Sequence, residues 1–129
     1  MLARYGIPEN DPQACSETAS CDGAFTAHNP LVLDTVAFVS WYAGGLQVID
    51  VRDPASPRAA GVYIPTPLPT VADDDLTLGS YPVRVWSAPI VRDGLIYVVD
   101  IRNGLAILRY TGPGASSVRR VGFAEANAT

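Results

Sequence analysis

The sequence contains no lysine, and all nine of its basic residues are arginines. Thirteen acidic residues outnumber them, which gives the 129-residue chain a formal net charge of -4. A protein that binds nucleic acid needs a basic face, so this balance argues against a nucleic-acid partner. The absence of lysine fits a GC-rich coding sequence, and we infer no phosphate-binding role from the arginines.

Long apolar runs and enzyme motifs are also missing. The stretch from Leu31 to Ile49 is broken by aspartate, serine, glutamine and two glycines, so no membrane-spanning helix is predicted. Met1 to Asn10 lacks the apolar core of a signal peptide. No nucleophile elbow, phosphate-binding loop, dinucleotide-binding fingerprint or zinc-hydrolase motif occurs. The sequence therefore predicts no enzymatic activity and no cofactor.

Cysteine and histidine are scarce. Cys15 and Cys21 lie close together in a polar loop, and we predict a disulfide between them in an oxidising compartment, with two free thiols as the alternative. A bridge across so short a loop stabilises a local turn more than the whole fold, because the loop-closure entropy involved is small. A zinc site built from both cysteines and His28 lacks a fourth ligand and the usual spacing, so no metal site is predicted.

What the chain does contain is apolar residues and frequent chain breaks. Hydrophobic residues make up 48% of the sequence, enough to build a core in one ordinary domain. Eleven glycines and eleven prolines divide it into short elements. Such punctuation favours many strands and turns over long helices.

Two related stretches organise the chain. Gly44–Pro57 reads GGLQVIDVRDPASP, and a weaker copy, Asn103–Gly114, reads NGLAILRYTGPG. A shift of about 59 positions aligns the two halves without gaps, as expected of stacked supersecondary units. The shift places Pro30 on Pro89, Phe38 on Tyr97, Gly45 on Gly104, Leu46 on Leu105 and Val48 on Ile107.

Each repeat is predicted to form four antiparallel strands joined by hairpins. Asp93-Gly94 and Asn103-Gly104 are dipeptides that favour two-residue hairpin turns. The middle strands are apolar on both faces, which is typical of a sheet buried between other sheets. Pro30 and Pro89 suit an edge strand, because proline cannot donate a ladder hydrogen bond. Stacked four-stranded sheets of this kind form a β-propeller.

The predicted fold is therefore all-β: two propeller blades of four antiparallel strands plus one extra N-terminal strand, a partial propeller. Residues 1–8 resemble Ala59–Pro65 and are predicted to be the last strand of a preceding blade. The remaining segments are a polar loop with the cysteine pair (9–23), the first complete blade (24–64), a Pro/Asp-rich insertion loop (65–80), the second complete blade (81–124) and a tail (125–129). The predicted strands are Ala24–Leu33, Val36–Tyr42, Leu46–Val51, Arg58–Ile64, Tyr81–Val91, Leu95–Ile101, Leu105–Tyr110 and Ser117–Phe123.

The motif at Gly44–Pro57 resembles the repeat of the LVIVD-repeat β-propeller family: glycine, leucine, an apolar run, aspartate, and then a DP-x-x-P turn. Residues 27–42 and 85–113 are similar to the last two blades of exported bacterial members. The second repeat departs from the pattern, since Arg109 replaces the aspartate and TGPG replaces the turn. The resemblance implies a propeller fold and an extracellular or cell-surface location, and it implies no catalytic residue.

Three groups of residues are candidates for ligand binding. His28 precedes Pro30 on the proposed channel strand, where it is either a channel-mouth ligand or general base, or a structural histidine that bonds a loop backbone. Trp41 and Trp86, with Tyr42 and Tyr81 nearby, can stack on a sugar or a partner, or pack between blades. The charged residues Asp50, Asp100, Arg102 and Arg109 lie in or beside apolar strands, where inter-strand ion pairs or a polar channel site are expected. Asp73–Asp75 lacks the spacing of a calcium loop and is interpreted as a solvated acidic loop.

These observations predict a non-catalytic, exported or cell-surface propeller segment that acts as a protein-interaction scaffold. The alternatives are a carbohydrate-binding two-blade unit that oligomerises into a full propeller, or the remnant of a larger propeller enzyme. The expected partner is another protein or the missing blades of a parent propeller, and a homo-oligomer is an alternative because two blades cannot close a ring.

Overall fold

A computed structural model describes residues 1–11, 13, 24–70 and 81–126 of the chain. The regular structure in this part is all-β apart from single turns of helix. The strands are β1 (Pro30–Leu33), β2 (Val36–Ser40), β3 (Leu46–Asp50), β4 (Arg58–Tyr63), β5 (Ile90–Arg92), β6 (Leu95–Asp100), β7 (Gly104–Leu108) and β8 (Phe123–Glu125), and one short helix, α1, covers Ala115–Arg119. No helix among these residues is long and apolar enough to cross a membrane.

The first sheet confirms the predicted meander. Its order is β1-β2-β3-β4, and every neighbouring pair is antiparallel. The β1–β2 turn passes through Asp34 with a positive φ of 52°. The β2–β3 connection ends at Gly45, whose φ of +72° suits glycine. A register shift at Val48 and Ile49 marks a β-bulge against β4.

The second sheet has a different strand order from the one predicted. Its order is β7-β6-β5-β8, so the last strand pairs with β5 and not with β7. The predicted outer strand Ser117–Phe123 is therefore wrong: its first half belongs to α1, and only its end enters β8. Gly114, with a φ of +80°, starts this helical turn, and the turn inserts the fully buried Val118 into the core. The burial of Val118 holds this segment away from the β7 edge.

The predicted first strand of the second repeat, Tyr81–Val91, is also mostly absent. Only its last two residues lie in β5, and Val85 makes isolated bridges to Tyr42 and Asp100. Pro82 and Pro89 lack backbone N–H groups, which prevents a continuous ladder over this stretch. The Asp93-Gly94 turn forms as predicted, with a positive φ at both residues.

Residues 1–8 were predicted to form a strand, and they do not. The chain is irregular to residue 7 and then forms a 3-10 turn over Pro8–Asn10. A strand needs a ladder partner, and this segment has none among the described residues. Instead Ile7 is buried against the first sheet, and its N–H donates to the Asn10 side chain at 3.2 Å.

The core consists of two layers. The main layer lies between the two sheets, where Phe38 and Leu46 meet Ile96 and Val98. Full burial of one such side chain contributes about 1.5–3 kcal/mol. The second layer covers the other face of the first sheet, where Tyr5, Ile7 and Phe25 pack on Ala37, Val39, Trp41 and Ile49.

The two sheets pack face to face but do not close into a ring. The coarse prediction of two four-stranded antiparallel sheets is thus confirmed, and the propeller interpretation belongs with the proposals below. Cys15, Cys21 and Asp73–Asp75 lie outside the described residues, so the disulfide and the acidic loop stay predictions.

Candidate functional site

The predicted binding residues do not converge on one site. Trp41 is only 6% exposed and lies on the far face of the first sheet, where its indole N–H donates to the Phe25 carbonyl at 3.2 Å. Its ring meets Tyr5 edge-on, with centroids 6.2 Å apart. Trp41 is therefore a core residue and is not exposed to a ligand.

Trp86 and His28 do come together, and Tyr42 joins them. The three rings touch pairwise, with centroid distances of 5.4 Å for Tyr42 to either neighbour and 5.7 Å between His28 and Trp86. Backbone bonds hold the cluster: the His28 N–H donates to Ser40, and Tyr42 exchanges two bonds with Val85. Trp86 keeps one face open, being 37% exposed.

The aromatic cluster has no catalytic geometry. The Nδ1 atom of His28 is buried and has no hydrogen-bond partner among the described residues. No hydrogen bond links the imidazole to a hydroxyl, thiol or carboxylate in that part of the chain, so nothing there resembles a nucleophile and its base. The rings can stack on a flat group. Their contacts also connect the segment before β1 to residues 81–86.

Asp100 was predicted to belong to an ion pair or a channel site, and the structure gives it another role. Its buried carboxylate accepts the backbone N–H groups of Arg84, Arg102 and Asn103, and the Asn103 side-chain amide at 2.8 Å. Asn103 in turn donates to the Pro82 carbonyl and accepts from Leu68. Backbone donors compensate the buried charge, so Asp100 organises three chain segments.

Arg102 contacts the same region, because its guanidinium donates to the Tyr81 carbonyl at 3.3 Å. Asp50 forms an ion pair with Arg52, two residues along the chain, and Arg58, its neighbour across the β3–β4 ladder, also helps to lower the pKa of its carboxyl. The Arg52 Nε donates to Oδ1 at 3.0 Å and its Nη2 donates to Oδ2 at 2.5 Å, which makes the contact bidentate. These bonds hold the pKa of the Asp50 carboxyl below its ordinary value.

The feature that sequence reasoning missed is the outer face of the second sheet. Cross-strand partners point to the same side, so the ladder registers define this face by rows of side chains. We call it the open face. Its apolar members are Ile90, Leu95, Tyr97, Val99, Leu105, Ile107 and Phe123. Five of them are large side chains with exposed fractions between 38% and 63%.

The edge of the same sheet is also open. Strand β7 pairs with β6 on one side, and no described strand pairs with its other side. Leu105 and Ile107 of this edge strand lie on the open face and are more than half exposed. An apolar edge strand without protection by charge or proline readily pairs with another chain.

The repeat explains why this face is apolar. The first sheet uses Val36, Phe38, Leu46 and Val48 to contact the second sheet. The repeat shift places these four on Leu95, Tyr97, Leu105 and Ile107, which are all on the open face. The second repeat thus presents the surface that the first repeat buries. A signal was present in the sequence, because β6 and β7 are apolar on both faces.

Comparison with family models, with curated proteins and with solved structures returned no match for this chain. The resemblance to the LVIVD-repeat family therefore stays a prediction from the residues.

Proposed function

We propose that the chain is a non-catalytic protein-interaction module that docks its partner on the open face. The single observation that carries this proposal is the bare apolar surface of the second sheet, with Leu105, Ile107 and Phe123 each more than half exposed. Contiguous exposed apolar surface on a folded protein marks an interaction site, whereas scattered exposed residues do not.

The shape and chemistry of the face favour a protein over a small molecule. Small-molecule sites are concave and enclose the ligand, while this surface is one side of a sheet. Its apolar residues on β6 and β7 form one continuous group, and by register Arg92 and Glu125 lie beside this group on β5 and β8, with Phe123 beyond Arg92. An apolar centre with a charged rim is the usual anatomy of a protein interface.

The finer parts of the proposal concern the architecture and the location. We propose that each sheet is a propeller blade, supported by the matching register of hairpins in the two repeats and by the motif at Gly44–Pro57. We further propose an extracellular or cell-surface location. Its support is the resemblance to exported repeat proteins and the cysteine pair Cys15 and Cys21.

A photocrosslinking experiment tests the docking surface. A benzophenone amino acid replaces Phe123 on the open face, and a matched variant carries it at Ala55, an exposed residue of the β3–β4 turn. Irradiation with the surface proteins of the source organism should give adducts, identified by mass spectrometry, from position 123 only. The added substitution Ile107→Asp should remove them. Equal adducts from both positions, or none from position 123, would contradict the proposal.

A second candidate function is carbohydrate binding at the aromatic cluster. The observation that favours it is the exposed ring of Trp86 beside His28 and Tyr42, since an exposed indole face stacks well on a sugar ring. Trp86→Ala should abolish binding to a glycan array, and Trp86→Phe should retain part of it. A wild-type chain that binds no glycan on the array would exclude this candidate.

A further inference from the structure

We propose that the occupant of the open face is a second copy of this chain, bound head to tail. Residues 1–8 of one copy add as a strand to the β7 edge of the next, and the first sheet of that copy stacks on the open face. This inference rests on the proposed function, because it names the partner of the same surface.

Such stacking repeats an interface already present within the chain. The buried face of the second sheet contains Ile96, Val98 and Leu108. The repeat shift places these residues on Ala37, Val39 and Ile49, which form the far face of the first sheet. The far face is therefore equivalent, by the repeat shift, to the face of the second sheet that contacts the first sheet. Within one copy Tyr5, Ile7 and Phe25 cover it, so a neighbouring open face would contact these side chains as well as the strands beneath them.

The two sheets differ at their outer edge. In the first sheet, β4 pairs with the outer side of β3. The second sheet has no equivalent strand outside β7 among the described residues, because the predicted segment enters α1 and β8 instead. Residues 1–8, MLARYGIP, resemble Ala59–Pro65, AAGVYIP, which includes most of β4. In the described part of one copy, β7 thus has no outer strand, and residues 1–8 resemble a strand but pair with no sheet.

Residues 1–8 also occupy a position that suits this contact. Ile7 lies so close to Gly44, just before β3, that a Cβ atom there would be 2.8 Å from the Ile7 side chain. Tyr5, Ile7 and Pro8 also line one cavity with Gln47 of β3 and with Ala59 and Ala60 of β4, so the end of this segment lies beside these two strands. Within one copy, β4 lies similarly against the second sheet: Ala60 and Tyr63 pack in the main core with Leu108. A stacked second copy brings its residues 1–8 to the β7 edge of its neighbour.

The donor surface is the first sheet with residues 1–8, and the acceptor surface is the open face with the β7 edge. Because these surfaces differ, the contact is heterologous and not a symmetric pairing of like faces. Copies joined in this way extend until the rotation closes a ring. A propeller ring contains about four to eight blades, which corresponds to roughly two to four copies. This count sets the expected size of the closed assembly.

A mixing experiment tests the head-to-tail arrangement. The acceptor variant is Ile107→Asp, which places a charge on a residue already 56% exposed. The donor variant combines Ala3→Pro with Arg4→Pro and removes one backbone N–H from each edge of the segment. Ala3 and Arg4 lie in no strand of their own chain, so the donor variant should keep its fold. Circular dichroism with thermal unfolding checks the fold of both variants. Ala55→Asp on the β3–β4 turn is the matched control.

Light scattering then reports the mass of each sample. We expect wild type and Ala55→Asp to form a discrete oligomer, and each defective variant alone to be a 13.7 kDa monomer. A mixture of the two defective variants should form a dimer, because one intact donor meets one intact acceptor and growth then stops. Each defect should raise the dissociation constant at least about tenfold, as expected when a charge or a lost ladder bond disrupts an interface.

The other outcomes overturn the inference in distinguishable ways. If the acceptor variant loses association while the donor variant keeps it, like faces pair with each other. If wild type stays monomeric at high concentration while the crosslinker at Phe123 captures a different protein, the second copy is wrong and the proposed function stands. If wild type stays monomeric and position 123 captures nothing, both proposals fail.

Discussion

Gly45 and Gly104 occupy equivalent positions in the two repeats, and their replacement by alanine should have very different effects. Gly45 directly precedes β3, with a φ of +72°, and Gly104 is the first residue of β7, with a φ of +85°. An alanine at either position meets the same backbone penalty. The surroundings differ, because a Cβ atom at Gly104 meets nothing within 4 Å, whereas at Gly45 it would be 2.2 Å from the Tyr63 carbonyl oxygen.

The expected magnitudes follow from these contacts. Gly104→Ala should lower the free energy of unfolding by about 1 kcal/mol, the cost of a left-handed conformation for a residue with a Cβ. Gly45→Ala adds a clash with the backbone of β4, which can relax only if the β3–β4 pairing shifts. The combined loss should be roughly 3–4 kcal/mol, a value that places the site among the most sensitive in a small domain.

Urea unfolding followed by circular dichroism provides the measurement, with equal m values as the check that both variants unfold the same structure. The structure predicts a much larger shift of the midpoint for Gly45→Ala than for Gly104→Ala. Equal shifts at the two positions, or a larger shift at Gly104, would refute the packing of β3 against β4 described above.

Three further predictions concern buried polar groups and pH. Asp100→Ala should lower the free energy of unfolding in urea by about 3 kcal/mol, because it leaves several buried N–H donors without an acceptor. The control Asp53→Ala, at an exposed turn residue, should lower it by less than about 1 kcal/mol. Tyr110→Phe removes the 2.8 Å bond from its hydroxyl to the Pro113 carbonyl and should cost about 1 kcal/mol in thermal unfolding. Arg52 lowers the pKa of Asp50 in the folded chain. The ion pair therefore stabilises the fold at neutral pH, and this stabilisation is lost as the pH falls below the ordinary aspartate pKa of about 4. Arg52→Ala should therefore be less stable than wild type at neutral pH and equal to it at the acid end of a pH series.

The first sheet was predictable because its information is local. Short apolar runs and tight turns, such as the one at Asp34, determine a meander whose strands pair with their sequence neighbours. The structure confirms the pairing of β1 to β4 and moves only the strand ends. Pro30 falls at the exposed first position of an edge strand, as its missing N–H requires.

The second sheet was less predictable because its last strand depends on competition between distant sites. Ser117–Phe123 was expected beside β7 by analogy with the first repeat. Gly114 and the burial of Val118 favour a helical turn instead, and β8 then pairs at the opposite edge. A repeat alignment cannot predict the helical turn, because the residues that cause it are the ones that differ between the two repeats.

The candidate site shows the same division. The sequence singled out His28 and Trp86, and the structure brings their rings together, but it buries Trp41 elsewhere. Residue type alone cannot distinguish the two tryptophans, because which sheet face a side chain occupies depends on strand register. In the sequence, the open face was visible only because β6 and β7 are apolar on both sides. The sequence does not show which of these two sides another part of the chain covers.

Amide hydrogen exchange with and without a bound partner is the most direct test of the claim that the open face is the docking surface. The experiment compares peptides of the dilute chain with those of the concentrated chain or of the complex isolated by crosslinking at Phe123. Docking on the open face predicts new protection confined to β7, β8 and, for self-association, residues 1–8. New protection confined to the aromatic cluster around Trp86 or to the β3–β4 turn, with β7 unchanged, would contradict it.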